Sequence, residues 1–343
     1  MKNTLILGKS GSGKTTGVMF KEIREKISKR ENLIITDRKM EYYKTFQPEL
    51  ISAGYKTLVI NLNEPEKSDG YNLLRMPYKL YQDGKKDLSL RMLNSLYQEI
   101  LINKEYQGDS FWINTAANYL VGLTILLFAN GKEKEINLGS VYVLMMEYER
   151  NGFDKLKSYL ENLSIVNSLY SYLSGTVLAP VDTRGGIMAT IKERLSLYIG
   201  SESLLKLLCS NDIELDSLNT PYALFIIDNE DYCGITNAII DEISLSLKNY
   251  NLIIDNADNL NKIIRLNTIL ENHTVNQTNL YYISRSKENI QKIYSKSIID
   301  KFTDIIDTTD KEYEVVKVGN YNVLPNLEAK ENNYINPNEI ELN

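Results

Sequence analysis

The sequence predicts an α/β fold built on a mainly parallel sheet, and three observations carry that reading. Gly8-Lys9-Ser10-Gly11-Ser12-Gly13-Lys14-Thr15 fits the pattern G-x-x-x-x-G-K-[ST], a phosphate-binding loop. The loop follows a short apolar run, Thr4-Leu5-Ile6-Leu7, and precedes a segment from Thr16 that reads as the opening of a helix. Beyond it, strand-length apolar runs alternate with helix-length segments, and such βα units imply a parallel sheet covered by helices on both faces.

Taken in order, Asn32-Leu33-Ile34-Ile35-Thr36 is the second strand, and a helix over 42–53 follows it, stopped by Gly54. Thr57-Leu58-Val59-Ile60-Asn61-Leu62 is the third strand. Strands return at 222–228, 251–255, 279–283 and 302–306, with helices over 235–248, 260–272 and 287–297. Between 77 and 174 the hydrophobic period is close to 3.6, with apolar runs over 88–102, 114–128 and 138–148. An all-α insertion domain over 77–174 therefore divides an α/β domain made of 1–76 and 175–323. The Asn-, Glu- and Pro-rich tail over 324–343 is expected to be poorly ordered.

The chemistry follows from the loop. Strand, glycine loop and helix aim backbone N–H groups and a helix N-terminus at phosphate oxygens, so residues Gly8, Lys9, Ser10, Gly11, Ser12, Gly13, Lys14, Thr15 and Thr16 are expected to hold a nucleoside triphosphate. Lys14 reaches the β- and γ-phosphates in this reading, and Thr15 offers its hydroxyl to Mg²⁺. Asn251-Leu252-Ile253-Ile254-Asp255 has the form of a Walker B strand, whose Asp255 would hold the Mg²⁺ through water. In parallel sheets ligands bind beyond the carboxyl ends of the strands. That places the 8–15 loop and the segment Asp37-Arg38-Lys39-Met40-Glu41 on one edge. The strand before Asp37 is expected to neighbour the loop strand, which makes Glu41 or Asp37 a candidate base. His273 has no Cys partner at ligand spacing and reads as an ordinary helix residue.

Composition sets outer bounds. A hydrophobic content of 43% with 24% charged residues is ordinary for a globular protein. A net charge of −6 argues against a basic nucleic-acid surface over the whole molecule. The longest apolar stretch, near 119–129, is too short to span a bilayer, and no signal peptide precedes the first strand. Cys209 and Cys233 lack metal or redox spacing, so a cytoplasmic setting is expected.

Several segments together resemble the TraG-like coupling proteins of type IV secretion. Thr36-Asp37-Arg38-Lys39-Met40-Glu41 resembles that family's T-D-P-K-G-E. Asn61-Leu62 with Ser68-Asp69-Gly70-Tyr71-Asn72 resembles N-L…S-x-x-Y-N-P, and Gly108-Asp109-Ser110-Phe111-Trp112 resembles G-D-x-F-W. Asp212-Ile213-Glu214-Leu215-Asp216-Ser217-Leu218 is similar to D-I-D-L-D-S-L, and Asp255-Asn256-Ala257-Asp258-Asn259-Leu260-Asn261-Lys262-Ile263 to D-E-F-A-N-I-G-K-I. The resemblance covers the chain from the loop to about residue 309. It implies a RecA-like core with an all-α insertion, usually hexameric around a DNA channel. It also implies ATP with Mg²⁺ as ligands, single-stranded DNA and secretion-machine or relaxosome proteins as partners, and a peripheral place at the inner face of the cell membrane.

The departures are on the catalytic edge. Asn256 stands where the family has the glutamate that polarises water, and an amide cannot accept that proton. Arg285 stands at the family's sensor glutamine, where it would place a cation on the γ-phosphate. Thr274-Val275-Asn276 lacks the family's arginine, leaving Arg184 and Arg194 as candidate fingers toward a neighbouring subunit. Met40 and Leu73 replace a family Gly and Pro. The expected activity is ATP hydrolysis coupled to DNA transfer, carried by Lys14, Asp255, Asn256, Glu41 and Arg285. The alternatives are a nucleotide-binding partner of the secretion machine without turnover, and a DNA translocase of the HerA/FtsK kind.

Overall fold

The computed structural model describes residues 1–102, 108–260 and 262–308. The tail over 324–343 lies outside them. Two compact units are present, one of 1–69 with 213–308 and one of 70–212.

The first unit is built on seven strands: β1 (Asn3–Leu7), β2 (Asn32–Thr36), β3 (Lys56–Asn61), β4 (Tyr222–Ile227), β5 (Tyr250–Ile254), β6 (Asn279–Ser284) and β7 (Asp304–Asp307). All pair in parallel, in the order β3-β4-β2-β5-β6-β1-β7. β1 to β6 are largely apolar on both faces because both are covered, whereas the edge strand β7 alternates half-buried and exposed residues. On one face lie Ile6, Ile35, Val59, Phe225, Ile253 and Ile283, packed with α1 (Phe20–Ser28) and α2 (Glu41–Ser52). Phe20 meets Phe46 edge-on at 5.1 Å, locking α1 to α2. The opposite row, with Leu5, Ile34, Leu224 and Leu252, is equally buried.

The strand order corrects one expectation. β2 does not neighbour the loop strand β1; it lies between β4 and β5, with β5 and β6 separating it from β1. Leu33 to Thr36 find matched apolar partners on both sides, pairing with Ala223–Ile226 and Asn251–Ile254. A second difference lies after β5. The helix read over 260–272 is a 3₁₀ turn at Ala257–Asn259 followed by a short α12 (Leu266–Asn272). The remaining helices of this unit are α11 (Cys233–Ser246) and α13 (Lys287–Ile293), the latter capped by the Ser286 side chain.

The second unit is all helical: α3 (Arg75–Gln82), α4 (Lys86–Leu101), α5 (Ser110–Asn130), α6 (Leu138–Glu147), α7 (Phe153–Glu161), α8 (Ser168–Val177), α9 (Val181–Ile199) and α10 (Glu202–Cys209). It runs past both ends of the 77–174 segment read from the sequence. The reason is packing: α3 lies on α4, α9 on α5, and α10 on α6 and α9. Asp109 caps α5 by accepting the Phe111 N–H at 2.9 Å, which accounts for the aspartate of the G-D-S-F-W segment. At Gly122 a Cβ would sit 2.4 Å from Leu173 Cδ2, so glycine permits the close approach of α5 and α8.

By length and composition α5 is long and apolar enough to cross a membrane, with a mean hydropathy of 1.5 over 18 residues. This helix is longer than the 119–129 stretch read from the sequence. Within this unit it is the central element, and 72% of that window is buried. Packing on α4, α6, α8 and α9 accounts for its apolar surface.

Candidate active site

The carboxyl ends of the strands converge on a cleft of about 310 Å³. Its lining comes from the loop after β1, the start of α2, the turn after β5 and the end of β6. Gly11 and Gly13 adopt φ values of 80° and 83°, which L side chains rarely adopt and which turn successive backbone N–H groups inward. Gly8 is needed for space as well, because a Cβ there would lie 2.2 Å from Thr308 Oγ1 and 2.3 Å from Ser12 Oγ. Thr308, just past β7, ties the loop down. Its hydroxyl meets Ser12 Oγ at 2.7 Å and its N–H donates to the Leu7 carbonyl at 2.9 Å.

Lys14 folds back over the loop, its Nζ donating to the carbonyls of Gly8 and, at 2.8 Å, of Lys9. Burial lowers the pKa of its ammonium, against the opposing charges of Asp255 and Asp258. A π-helical turn at Lys14–Met19 then runs into α1, so Thr15 and Thr16 face the cleft. Gly8 is buried beneath the loop and Lys9 is exposed; neither side lines the cleft, where the loop is represented from Ser10 onward.

Asp255 stands opposite. Its Oδ2 accepts the Tyr42 hydroxyl at 2.7 Å and the Thr15 hydroxyl at 3.3 Å, while Oδ1 accepts the Asn256 N–H at 2.7 Å. Thr36 holds the backbone on the other side, accepting the Asp255 N–H at 2.9 Å. Burial raises the pKa of Asp255 despite these donors. A buried carboxylate without a full countercharge, beside a threonine hydroxyl, is an oxygen donor pair suited to a hard cation.

The other expected residues divide. Asn256 lines the cleft in the left-handed region, at φ 53° and ψ 36°, a conformation asparagine tolerates better than most residues. Glu41 is exposed at the start of α2 and also lines the cleft. Asp37 is committed to the fold. Its two oxygens accept the N–H groups of Glu41 and Tyr43 at 2.8 Å each, capping α2. Burial pushes its pKa up to about 7. Arg285 is exposed on the cleft rim. The two finger candidates are engaged inside the helical unit: the Arg184 guanidinium lies 4.4 Å from the Phe153 ring centroid, and Arg194 lies 3.9 Å from Glu193. His273 Nδ1 lies 3.1 Å from Asn3 Nδ2 and 2.7 Å from the Leu270 carbonyl oxygen.

Four cleft residues had no role assigned from the sequence: Tyr42, Arg38, Asp258 and Ser284. Arg38 reaches out of β2 to the buried Asp228 at 3.0 Å and to Glu230 at 3.5 Å. Asp258 accepts the Ser284 hydroxyl at 2.5 Å and the Arg285 N–H at 2.7 Å, joining the turn after β5 to the end of β6. Proximity to the two motifs in sequence was the signal for Tyr42 and Asp258; nothing in the sequence marked Ser284. Elsewhere the motif polar residues do structural work. Asp69 accepts the Val59 N–H at 2.8 Å, Ser68 the Asn61 N–H at 2.8 Å, and Asp212 the Gly70 N–H at 2.9 Å.

The fold has known counterparts. The family model described as type IV secretory system conjugative DNA transfer matches residues 2–231. Among solved structures, the chain is similar to the plasmid coupling protein TrwB in complex with ADP and Mg²⁺, at 15% identity and a TM-score of 0.61, covering 88% of this chain and 69% of that one. TrwB with the non-hydrolysable ATP analogue ADPNP matches equally well, at 14% identity and a TM-score of 0.61, covering 88% and 69%. VirB4 of Thermoanaerobacter pseudethanolicus matches at 14% identity and a TM-score of 0.53, covering 89% of this chain and 76% of that one. No curated protein matches the sequence. The chain belongs to the type IV secretory system conjugative DNA transfer family, and its fold is that of the family's coupling proteins.

Proposed function

We propose that this chain is an ATP-driven coupling component of conjugative DNA transfer that binds ATP with Mg²⁺ in the cleft above the 8–15 loop. The observation that carries this reading is the approach of Thr15 Oγ1 to Asp255 Oδ2 at 3.3 Å, beside the Lys14 ammonium. A hydroxyl and a cation from the loop and a carboxylate from the end of a distant strand suit a phosphate–metal pair. Lys14 would exchange the carbonyls of Gly8 and Lys9 for phosphate oxygens. Thr15 and Asp255 would hold Mg²⁺, whose charge offsets that of the β- and γ-phosphates. Among the described residues no group of three or more His, Cys, Asp or Glu could hold a metal, so the other ligands would be phosphate and water. The structures of TrwB with ADP and Mg²⁺ and with ADPNP support the ligand assignment for this chain.

The same proposal gives the chain single-stranded DNA and secretion-machine or relaxosome proteins as partners. It places a hexameric ring of such chains on the cytoplasmic side of the membrane, held there peripherally. A second reading, a nucleotide-binding partner without turnover, is favoured by Asn256, whose amide cannot take a proton from water. Phosphate release by the purified protein, with and without single-stranded DNA, separates the two. Release that Lys14→Ala abolishes supports the motor; ATP binding with no release, DNA present or not, supports the second reading.

A further inference from the structure

The family position for a catalytic carboxylate holds Asn256, yet the cleft is not short of carboxylates. Asp255 is committed: its oxygens accept the Tyr42 and Thr15 hydroxyls and the Asn256 N–H. Asp37 is committed too, with both oxygens on backbone N–H groups of α2. Glu41 is exposed at the start of α2, and no side-chain donor fixes its carboxylate among the hydrogen bonds described. Asp258 differs from all three. It lines the cleft, is partly exposed to it, and is one of the two carboxylates whose charge acts on the Lys14 ammonium. The left-handed backbone at Asn256 and the 3₁₀ turn at Ala257–Asn259 bring it there. Ser284 Oγ and the Arg285 N–H fix its orientation, one donor on each oxygen. Each carboxylate oxygen retains a second lone pair for a water.

We infer that Asp258 is the general base of this site, the catalytic carboxylate having moved three positions beyond Asp255 to replace the one that Asn256 lacks. This rests on the reading of the cleft as an ATP site. In the step, a water oxygen forms a bond to the terminal phosphorus as the bond from that phosphorus to the bridging oxygen breaks. The bridging oxygen keeps the electron pair and leaves as the nucleoside diphosphate. The water's proton passes to the Asp258 carboxylate and then to inorganic phosphate, which resets the base. Asn256 would hold the same water by its amide without taking the proton.

The test compares wild type, Asp258→Asn, Asn256→Glu and the double variant Asp258→Asn/Asn256→Glu as full chains. Binding of a fluorescent ATP analogue and steady-state phosphate release are both read, the latter from pH 5 to 9. Asp258→Asn is expected to lower kcat about 100-fold or more while leaving nucleotide affinity within about threefold. In the double variant Asn256→Glu is expected to restore much of the rate lost in Asp258→Asn. A purely structural role for Asp258 would not let the rate return in the double variant. Wild-type-like release by Asp258→Asn would overturn the assignment, and so would a roughly 100-fold gain from Asn256→Glu alone, because either means Asp258 is not the base. Wild-type protein that binds the analogue but releases no phosphate overturns it as well and leaves the binding reading intact. Failure of the wild type to bind the analogue overturns both.

Discussion

Tyr42 donates a 2.7 Å hydrogen bond to Oδ2 of Asp255, joining the first turn of α2 to the end of β5. The Thr15 hydroxyl reaches the same oxygen, so the Asp255 carboxylate is held by groups that follow two other strands. Tyr42 is fully buried, and its ring packs on Phe20 at 5.9 Å, so the hydroxyl has a defined position.

Tyr42→Phe keeps that packing and removes one donor to a buried carboxylate. A hydrogen bond to a charged group contributes about 1.5–3 kcal/mol, and the variant is expected to lose stability in that range. The urea midpoint should fall with an unchanged slope, and the Mg²⁺ dependence of nucleotide binding should weaken. An unchanged midpoint would mean the hydroxyl does not hold Asp255.

The glycines of the loop are not equivalent. At Gly8 a Cβ collides with Thr308 and Ser12, whereas at Gly11 nothing lies within 4 Å. Gly11→Ala meets only the positive-φ strain, about 1–2 kcal/mol. Gly8→Ala is expected to cost more and to break the link from the loop to Thr308. Thermal melts and nucleotide titrations of the two variants should separate them in that order.

Asp37 makes stability pH-dependent. Burial pushes its folded pKa up to about 7, against an ordinary value of 3.8. Between those values the folded state keeps a proton that the unfolded chain releases, so unfolding becomes easier as pH rises. The contribution is fully present below about pH 4 and is lost by about pH 7, at up to about 1.4 kcal/mol per pH unit. Asp37→Asn should remove that slope. Urea unfolding from pH 4 to 8 reads it as the difference between wild type and variant; a constant difference would show that Asp37 folds ionised.

Arg38 and Asp228 form a pair whose acid is buried and whose cation is mostly so. Removing the cation alone leaves a buried carboxylate whose pKa burial already raises. Arg38→Ala is expected to cost about 3 kcal/mol. The double variant Arg38→Met/Asp228→Leu should recover at least half of that in urea unfolding. A double variant as unstable as the sum of its singles would show that the two charges do not act on each other.

Most strands were legible because they are runs of apolar residues buried on both faces, as in Ile34-Ile35 and Leu252-Ile253-Ile254. Their order was not, since parallel pairing across crossovers leaves no mark in local periodicity; hence β2 lies away from β1. The loop side of the cleft was legible because its residues are contiguous in the chain. The opposite half is assembled from residues far apart in the chain, such as Asp258 with Ser284 and Tyr42 with Asp255. Leu266 marks the start of the helix that the sequence placed at 260, because the turn after Asn256 takes the intervening residues out of helical geometry.

The most direct measurement of the central claim is a calorimetric titration of ATP into wild type, Lys14→Ala and Thr15→Ala, each with and without Mg²⁺. The expected result is binding by wild type that Mg²⁺ tightens, a loss of affinity of about tenfold or more in Lys14→Ala, and loss of the Mg²⁺ effect in Thr15→Ala. Binding that ignores both substitutions, or no binding by wild type, would contradict a nucleotide site at this loop.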